Sequence, residues 1–261
     1  MKEETFVLIE VIDSVGILTL NHPPANYLPA PEFLPAFRLR ELLADESLKG
    51  LIIRGEGRNF SAGGDLEQIF SAATDGLSLQ QMLEGGLDLL RTLETIDIPV
   101  IAAINGVCFG GGLETALACH FRVASENALL AFPEVNQNLA PGMGGTTRLT
   151  EATGRFQSAR MILGGDMIGA GEAKSIGLVD YVAPKDQAFE YSLNLMMKMT
   201  HDRPVKVIRA IMKTLMLSSL TDREESMREE TSLFCDLARD ESVRRKAESS
   251  SDNGIPVSTK S

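Results

Sequence analysis

Two glutamates and two glycine-rich loops are the residues of this sequence whose types and spacing suggest chemistry. Glu114 closely follows the glycine triplet Gly110–Gly112, and Glu134 directly follows Pro133. A carboxylate can accept or donate a proton beside a reacting carbonyl group, and two carboxylates can divide the acid and base roles. The chemistry that this pair could support is general acid and base catalysis.

The glycine loops offer a second reactive group, the free backbone N–H. A helix N-terminus leaves N–H donors unpaired, and glycine lets a ligand oxygen approach them closely. One donor would lie in the loop 62–65 and another in 110–112. Two donors that converge on one carbonyl oxygen form an oxyanion hole, where losing one donor typically costs about 2.7 to 4 kcal/mol of transition-state stabilisation.

Each feature also has a purely structural interpretation. A glycine triplet can allow tight packing of a strand against a helix. Glu114 can stabilise the first helical turn through the helix dipole, and Glu134 can be a capping or surface carboxylate. The combination of two loops and two glutamates favours catalysis over these interpretations.

Other catalytic motifs find little support in the sequence. The glycine stretches complete neither GxGxxG nor GxxxxGK[ST], and no GxSxG surrounds Ser61. The cysteines, Cys108, Cys119 and Cys235, form no CxxC pair and have no histidine at metal-ligand spacing. We therefore expect no metal site, buried apolar roles for Cys108 and Cys119, and a structural role for His120.

The elements that must position the glutamates alternate between strands and helices. A hairpin is predicted over 5–12 and 15–20, and strands over Gly50–Arg54 and Val100–Ile104 precede the two glycine loops. The stretches LIIRGEGRNFSAGGDLEQI and VIAAINGVCFGGGLETAL each run from a strand through a glycine loop into a helix, and they indicate two copies of one structural device. This alternation predicts a layered α/β core.

The sequence pattern divides the chain into three parts. Residues 1–184 are predicted to form the core domain, residues 185–247 a helical C-terminal segment, and residues 248–261 a flexible tail. Long helical stretches are predicted over 185–200 and 204–240. Apolar residues recur at helical spacing in the second stretch: Ile208, Ile211, Met212 and Leu215.

Composition and charge narrow the class of protein. The 261 residues are 44% hydrophobic and 23% charged, which is typical of a folded globular chain. The net charge of −11 opposes binding to nucleic acid or to an anionic membrane surface. No window approaches the roughly 18 apolar residues of a membrane span. The cysteine usage fits a reducing compartment, so we expect a cytoplasmic protein.

Six segments, in a fixed order, carry a resemblance to a known family. They are LTLNHPPAN (18–26), GRNFSAGGDL (57–66), PVIAAINGVCFGGGLETALAC (99–119), FPE (132–134), PGMGGTTRL (141–149) and GAGEAKSIGLVDYV (169–182). Together they resemble the crotonase, or enoyl-CoA hydratase/isomerase, superfamily over about 6–240. The resemblance implies an α/β fold, a spiral of repeated ββα units, followed by a helical segment used in trimerisation. The expected assembly is a homotrimer or a dimer of trimers.

The resemblance implies roles for individual residues. The N–H groups of Gly64 and Gly111 match the oxyanion hole for a thioester carbonyl, and Glu114 and Glu134 match the two catalytic glutamates of the hydratases. The remaining matched positions bind CoA or the acyl chain: Ala25, Ala62 beside the adenine, and Asp65 and Leu66 at the start of a helix beside the acyl chain.

The implied reaction is reversible syn addition of water to a trans-2-enoyl-CoA thioester. It needs no metal or redox cofactor, because coenzyme A is part of the substrate. Alternatives within the family are isomerisation of an enoyl-CoA, and dehydration or decarboxylation of a thioester of CoA or of acyl carrier protein. An alternative of a different class is a non-catalytic acyl-CoA-binding or interaction protein with this fold. Retention of both glutamates and both loops favours the hydratase.

The sequence departs from the family pattern after Glu134, where small residues and a glycine give way to VNQNL (135–139). Either Asn138 replaces a left-handed glycine, or Asn136 or Gln137 contacts a polar acyl group. Four basic residues are either contacts for CoA phosphates or solvated surface charges: Arg58, Lys206, Arg209 and Lys213.

Overall fold

The computed structural model describes residues 6–72, 76–243 and 245. The predicted tail, 248–261, lies outside the described residues. The strands are β1 (Val7–Ile12), β2 (Val15–Leu20), β3 (Gly50–Gly55), β4 (Val100–Ile104), β5 (Val107–Phe109), β6 (Phe121–Ser125), β7 (Leu129–Ala131), β8 (Ile168–Gly169) and β9 (Tyr181–Ala183). The helices are α1 (Ala36–Leu43), α2 (Leu66–Ala72), α3 (Gly76–Thr95), α4 (Gly111–Leu117), α5 (Gly145–Gly164), α6 (Ala170–Ser175), α7 (Ala188–Thr200), α8 (Val205–Leu220) and α9 (Arg223–Arg239).

A six-stranded sheet in the order β1-β2-β3-β4-β6-β9 forms the centre of the described structure. The predicted hairpin is confirmed: β1 and β2 pair antiparallel, and the turn residues Asp13 and Ser14 both have positive φ, as a two-residue hairpin turn requires. From β2 onward neighbouring strands pair parallel. Parallel strands need crossover connections, and helices supply them.

Three short strands form a second, smaller sheet in the order β5-β7-β8, and along the chain they fall between strands of the large sheet. Two strands of the large sheet, β4 and β6, are each followed by a short strand of the small sheet and then a helix: β4-β5-α4, then β6-β7-α5. Isolated parallel bridges, Ser61 with Cys108 and Leu28 with Gly64, extend the same arrangement to the preceding unit. The predicted α/β architecture of repeated ββα units is confirmed.

Alternate residues of β3 and β4 face opposite sides of the sheet and are buried on both. Ile52 and Ile101 pack in one cluster with Met196 of α7, whereas Ile53 and Ala102 pack in the cluster that contains α1, α3 and α4. Burial on both faces explains why these strands read as continuous apolar runs in the sequence.

The predicted helical stretch 204–240 is wrong in one respect, because it is two helices. It breaks at Thr221, and Asp222 caps α9 by accepting hydrogen bonds from the N–H groups of Glu224 and Glu225. An aspartate with a glutamate three residues later is a helix-start signal. The four apolar residues predicted at helical spacing on α8 differ in burial: Ile208 and Met212 are buried, but Ile211 and Leu215 are exposed.

None of the helices in the described ranges combines the length and the apolar character that crossing a bilayer would require.

Candidate active site

The two glycine loops occupy equivalent positions in adjacent units. β3 and β4 pair in parallel, and further along Ser61 pairs in parallel with Cys108. Gly64 and Gly111 each lie three residues beyond that pair. The pairing therefore brings the two predicted N–H donors to the same level of two neighbouring segments of the chain, as expected for two copies of one structural device.

The backbones of the two loops come into close contact. A Cβ atom added to Gly63 would lie 2.9 Å from the carbonyl oxygen of Phe109 and 3.4 Å from the nitrogen of Gly111. One added to Gly111 would lie 3.6 Å from the nitrogen of Gly64. In the described part of the chain, the N–H groups of Gly64 and Gly111 have no hydrogen-bond acceptor. Both donors are thus free to bind a ligand oxygen.

Each glycine of the triplet has a separate reason to be glycine. Gly110 has a φ of +49°, and a Cβ there would lie 2.8 Å from Oε1 of Glu134. Gly111 faces the cavity described below. Gly112 packs against the neighbouring unit, since its Cβ would lie 2.8 Å from both the Cβ and the carbonyl oxygen of Ser61. The structural interpretation of the triplet is therefore right for Gly112, and the ligand interpretation fits Gly111.

Glu114 is a buried carboxylate held by a backbone turn. Its side chain comes from the first turn of α4, and its Oε1 accepts hydrogen bonds from the N–H groups of Met143 (2.7 Å) and Gly145 (2.9 Å). Burial raises the pKa of Glu114, and these two amides and the nearby Arg148 guanidinium act in the opposite direction. Within the described residues no hydrogen-bond donor reaches Oε2, which leaves that oxygen available to a ligand.

Glu134 reaches the same cavity from a 3₁₀ turn, Pro133–Gln137, that follows β7. Its Oε2 is buried and has no hydrogen-bond partner among the described residues. Burial, together with the negative charge of Glu114, raises the pKa of Glu134 to about 7, although its own backbone amide lowers it. A carboxyl group with such a pKa can both give and take a proton near neutral pH.

A cavity of about 610 Å³ contains both glutamates and both glycine loops. That volume falls in the range of small-molecule sites. Apolar side chains form much of its wall: Leu28, Ile69, Leu79, Met82, Leu83, Leu139 and Met143. The cavity thus combines carboxylates and free amides with an apolar surface that suits an acyl chain.

The predicted binding residues differ in their relation to this cavity. Ala62 and Asp65 line it, and Asp65 also caps α2 by accepting from the N–H groups of Glu67 and Gln68. Ala25 is not among the lining residues, but its carbonyl oxygen accepts a hydrogen bond from the N–H of Ala62. Leu66 begins α2.

The departures after Glu134 have a clear geometry. Asn138 adopts a left-handed conformation, with φ of 56°, which fits its interpretation as a replacement for a left-handed glycine. Asn136 and Gln137 line the cavity, which keeps the second interpretation open.

Three of the four basic candidates are engaged in ion pairs within the chain. Arg209 pairs with Asp97, Lys213 with Glu229, and Lys206 with Asp240. Cys108 and Cys119 are buried and His120 is half-buried, with its Nδ1 accepting from the Val100 N–H, as expected of structural residues.

Two structural contributors were not recognised as such in the sequence. Ser61 Oγ donates to the Asn26 carbonyl (2.7 Å) and accepts from the Gly63 N–H (3.1 Å), so it shapes the loop that carries Gly64. Arg148 donates to the Met143 carbonyl. Both lie inside segments that carry the family resemblance, but only the folded structure shows what they contact.

Among the described residues, no cluster of three or more His, Cys, Asp or Glu side chains could hold a metal ion.

Known proteins with similar sequences and structures define the class. A family model for enoyl-CoA hydratase/isomerase matches residues 10–252. The chain is 33% identical over 242 residues to a probable enoyl-CoA hydratase of Bacillus subtilis, covering 91% of this chain and 92% of that relative. The structure of DspI from Pseudomonas aeruginosa matches with a TM-score of 0.88 and 30% identity, covering 98% of this chain and 97% of that one. The chain belongs to the enoyl-CoA hydratase/isomerase family, and its fold is the crotonase fold.

Other relatives are longer or more distant. The alpha subunit of the fatty acid oxidation complex of Shewanella loihica is 37% identical over 211 residues, which cover 78% of this chain but only 29% of that subunit. An enoyl-CoA hydratase from Bacillus anthracis matches in structure with a TM-score of 0.84 and 25% identity, covering 97% of this chain and 98% of that one.

We predict that Gly112→Ala destabilises the protein by about 1 to 3 kcal/mol, because the new methyl group would collide with the backbone of Ser61. Urea unfolding measures the effect. Gly171→Ala is the matched control: Gly171 lies in α6 with no atom near the position of an added Cβ, and alanine there is expected to leave stability unchanged or to raise it by up to about 1 kcal/mol. Equal stability for both variants would contradict the tight contact.

We predict that stability depends on the ionisation of Glu134. Its pKa is higher in the folded protein than in the unfolded chain, so the folded state binds the proton more tightly. This contribution is complete below about pH 4.5 and is lost as the pH rises through about 7. When the pH rises from 5 to 8.5, the free energy of unfolding of the wild type should fall relative to that of Glu134→Gln. Glu126→Gln, at an exposed position, is the control. A parallel pH dependence of wild type and Glu134→Gln would refute the linkage.

Proposed function

We propose that this protein is an enoyl-CoA hydratase that catalyses reversible syn addition of water to a trans-2-enoyl-CoA thioester. The observation that carries the proposal is the meeting of two carboxylates, Glu114 and Glu134, with two free amides, Gly64 and Gly111, in one cavity. Family membership supports an activity of this type.

In this proposal the Gly64 and Gly111 amides bind the thioester oxygen. Addition of water at Cβ moves electrons from the double bond toward the carbonyl, and negative charge develops on that oxygen. Donors that are already fixed in position stabilise this charge without reorganising. The absence of side chains on the two glycines allows the oxygen to approach.

Glu114 is assigned the water. Its Oε1 is fixed by the amides of Met143 and Gly145, whereas Oε2 is free to accept a hydrogen bond from water in the cavity. The amide bonds and Arg148 favour the ionised form that a base requires. As the water oxygen bonds to Cβ, one of its protons passes to Glu114.

Glu134 is assigned the proton at Cα. A carboxyl group whose pKa is raised to about 7 retains its proton at neutral pH often enough to donate it. Its transfer to Cα completes the addition, and the two glutamates exchange ionisation states. Dehydration runs through the same states in reverse, so no other co-reactant is required.

The alternatives use fewer of these groups. Isomerisation of a double bond needs one carboxylate to move a proton from one carbon to another, and non-catalytic binding needs neither. Dehydration or decarboxylation of a carrier-bound acyl group would use the same amides. Two carboxylates in one cavity, one hydrogen-bonded by amides and one with an unpaired oxygen, favour hydration.

The proposal also includes the setting of the reaction. CoA is part of the substrate and no metal or redox cofactor takes part. An acyl carrier protein thioester is the alternative substrate, and neither nucleic acid nor a membrane is a partner. We place the enzyme in the cytoplasm, which three unpaired cysteines support. We assign assembly into a trimer or a dimer of trimers to α8 and α9, whose exposed Ile211, Leu215, Met227 and Phe234 offer an apolar surface.

We predict that the purified protein removes the conjugated-thioester absorbance of short or medium trans-2-enoyl-CoA. Glu114→Gln and Glu134→Gln should each lower kcat by about 10²-fold or more, because each removes a proton-transfer group. Glu126→Gln should retain full activity.

Other outcomes with thioester substrates would indicate a different function. Tight acyl-CoA binding without turnover would favour a binding protein, and movement of the double bond without hydration would favour an isomerase. Release of CO₂ from a glutaconyl thioester would favour a decarboxylase.

We predict a bell-shaped pH profile of kcat/KM for hydration, with its basic limb near pH 7, because the free enzyme must hold the Glu134 proton. Both reaction directions need one proton shared between the two carboxyls, so dehydration should show the same bell. The profile is measured from initial rates between pH 5 and 9. A hydration rate that rises to a plateau through pH 9 would show that Glu134 is not the acid.

A further inference from the structure

Arg148 is a buried cation directly behind the turn that holds Glu114. Its side chain is only 9% exposed, and it lies in the first two turns of α5. Its Nη1 donates to the carbonyl oxygen of Met143 at 2.7 Å. The N–H of the same Met143 donates to Glu114 Oε1 at 2.7 Å. One residue therefore connects the guanidinium group to the carboxylate.

The turn itself is shaped around the arginine. Gly144 lies between the two residues that donate to Glu114, has a φ of +87°, and would place an added Cβ 2.6 Å from Arg148 Nη1. The backbone N–H of Arg148 also donates to the Gly144 carbonyl. The arginine thus contacts the turn through both its side chain and its backbone.

Glu94 at the end of α3 holds the other side of the guanidinium group. Arg148 Nε and Nη2 donate to the two carboxylate oxygens of Glu94 at 3.3 and 3.0 Å, which is a fork-like pairing. The main chain of Glu94 is fixed in turn, since its carbonyl oxygen lies 3.2 Å from His120 Nε2. Because His120 Nδ1 accepts from the Val100 N–H, Nε2 carries the proton and donates it. Glu94 is therefore anchored to the sheet.

We infer that Arg148, held by Glu94, is a positioning residue that presses the Met143–Gly145 turn against Glu114 and supplies a buried positive charge beside that carboxylate. The inference rests on the proposed function, in which Glu114 must be ionised to hold water. Arg148 acts through the turn and through its charge.

This inference can be tested by the sign of the change in the Glu114 pKa when one of the charged groups around it is removed. Glu134 faces it across the cavity, and Arg148, Glu94 and His120 lie behind it; Asp65 and Glu67 also line the cavity. Removing the arginine charge should raise the pKa of Glu114. Removing the Glu94 charge should lower it, since less of the arginine charge is then compensated.

The experiment measures the titration of Glu114 in the ligand-free protein by ¹³C NMR of labelled glutamate carboxyl groups, assigned with Glu114→Gln. Arg148→Met is expected to move the midpoint upward and Glu94→Gln to move it downward. Arg160→Met is the matched control in α5, because Arg160 pairs with Glu172 on the surface. It is expected to leave the midpoint unchanged.

Arg148→Lys separates position from charge. Lysine keeps the charge, but its single nitrogen cannot span Glu94 and the Met143 carbonyl as the fork does. The midpoint should move less than in Arg148→Met, while kcat for enoyl-CoA hydration should fall about tenfold with KM changed less than about twofold, as expected for an interaction that acts in the transition state.

Midpoint shifts of the same sign in Arg148→Met and Glu94→Gln, or no shift in either, would overturn the electrostatic part. A fully active Arg148→Lys enzyme would overturn the positioning part. If Arg148→Met does not fold, Glu94→Gln and Arg148→Lys decide both. Absence of hydration in wild type would refute the proposed function, yet the NMR titration would still test the role of Arg148.

Discussion

The parallel pairing of one strand–loop–helix unit with the next is the constraint on which the rest of the structure depends. Because β3 pairs with β4 and Ser61 pairs with Cys108, Gly64 and Gly111 reach the same level without any side chain to guide them. A shift of one residue would turn every side chain to the other face of the sheet. Ile52 and Ile53 pack in different clusters on the two faces of the sheet, so such a shift would disrupt close packing on both faces, and packing of the core fixes the spacing of the two amides.

Close approach of backbones explains the glycines at the site better than flexibility does. Gly112 and Gly63 lie where a methyl group would collide with the neighbouring unit, and Gly110 lies where it would collide with Glu134. These close contacts hold the backbones of the two loops against each other. The loop that carries Gly64 is held in place by Ser61, whose Oγ donates to the carbonyl oxygen of Asn26, 35 positions away, and accepts from the N–H of Gly63.

Much of this arrangement could be predicted from the sequence, and the limits are physical. Strand and glycine loop are local patterns, so the hairpin, the two matched units and both glutamates could be found from residue order. Contacts between distant segments leave no local pattern. Arg148 reads as an ordinary helical arginine until Glu94, 54 positions away, pairs with it. The start of α9 at Asp222 has a local signal, the aspartate and the glutamate three residues later, whereas the apolar spacing from Ile208 to Leu215 gives no sign of a break.

The two glutamates have the same side chain but different surroundings, and the proposed mechanism gives them different roles on that basis. Burial acts on both and favours the neutral form. At Glu114 two amides and a buried guanidinium group oppose that effect, whereas Glu134 has only its own amide against it and faces the charge of Glu114 as well. More groups therefore favour the ionised form at Glu114 than at Glu134. Under the proposed mechanism, this difference in surroundings suits Glu114 to the role of base and Glu134 to the role of acid before any substrate enters.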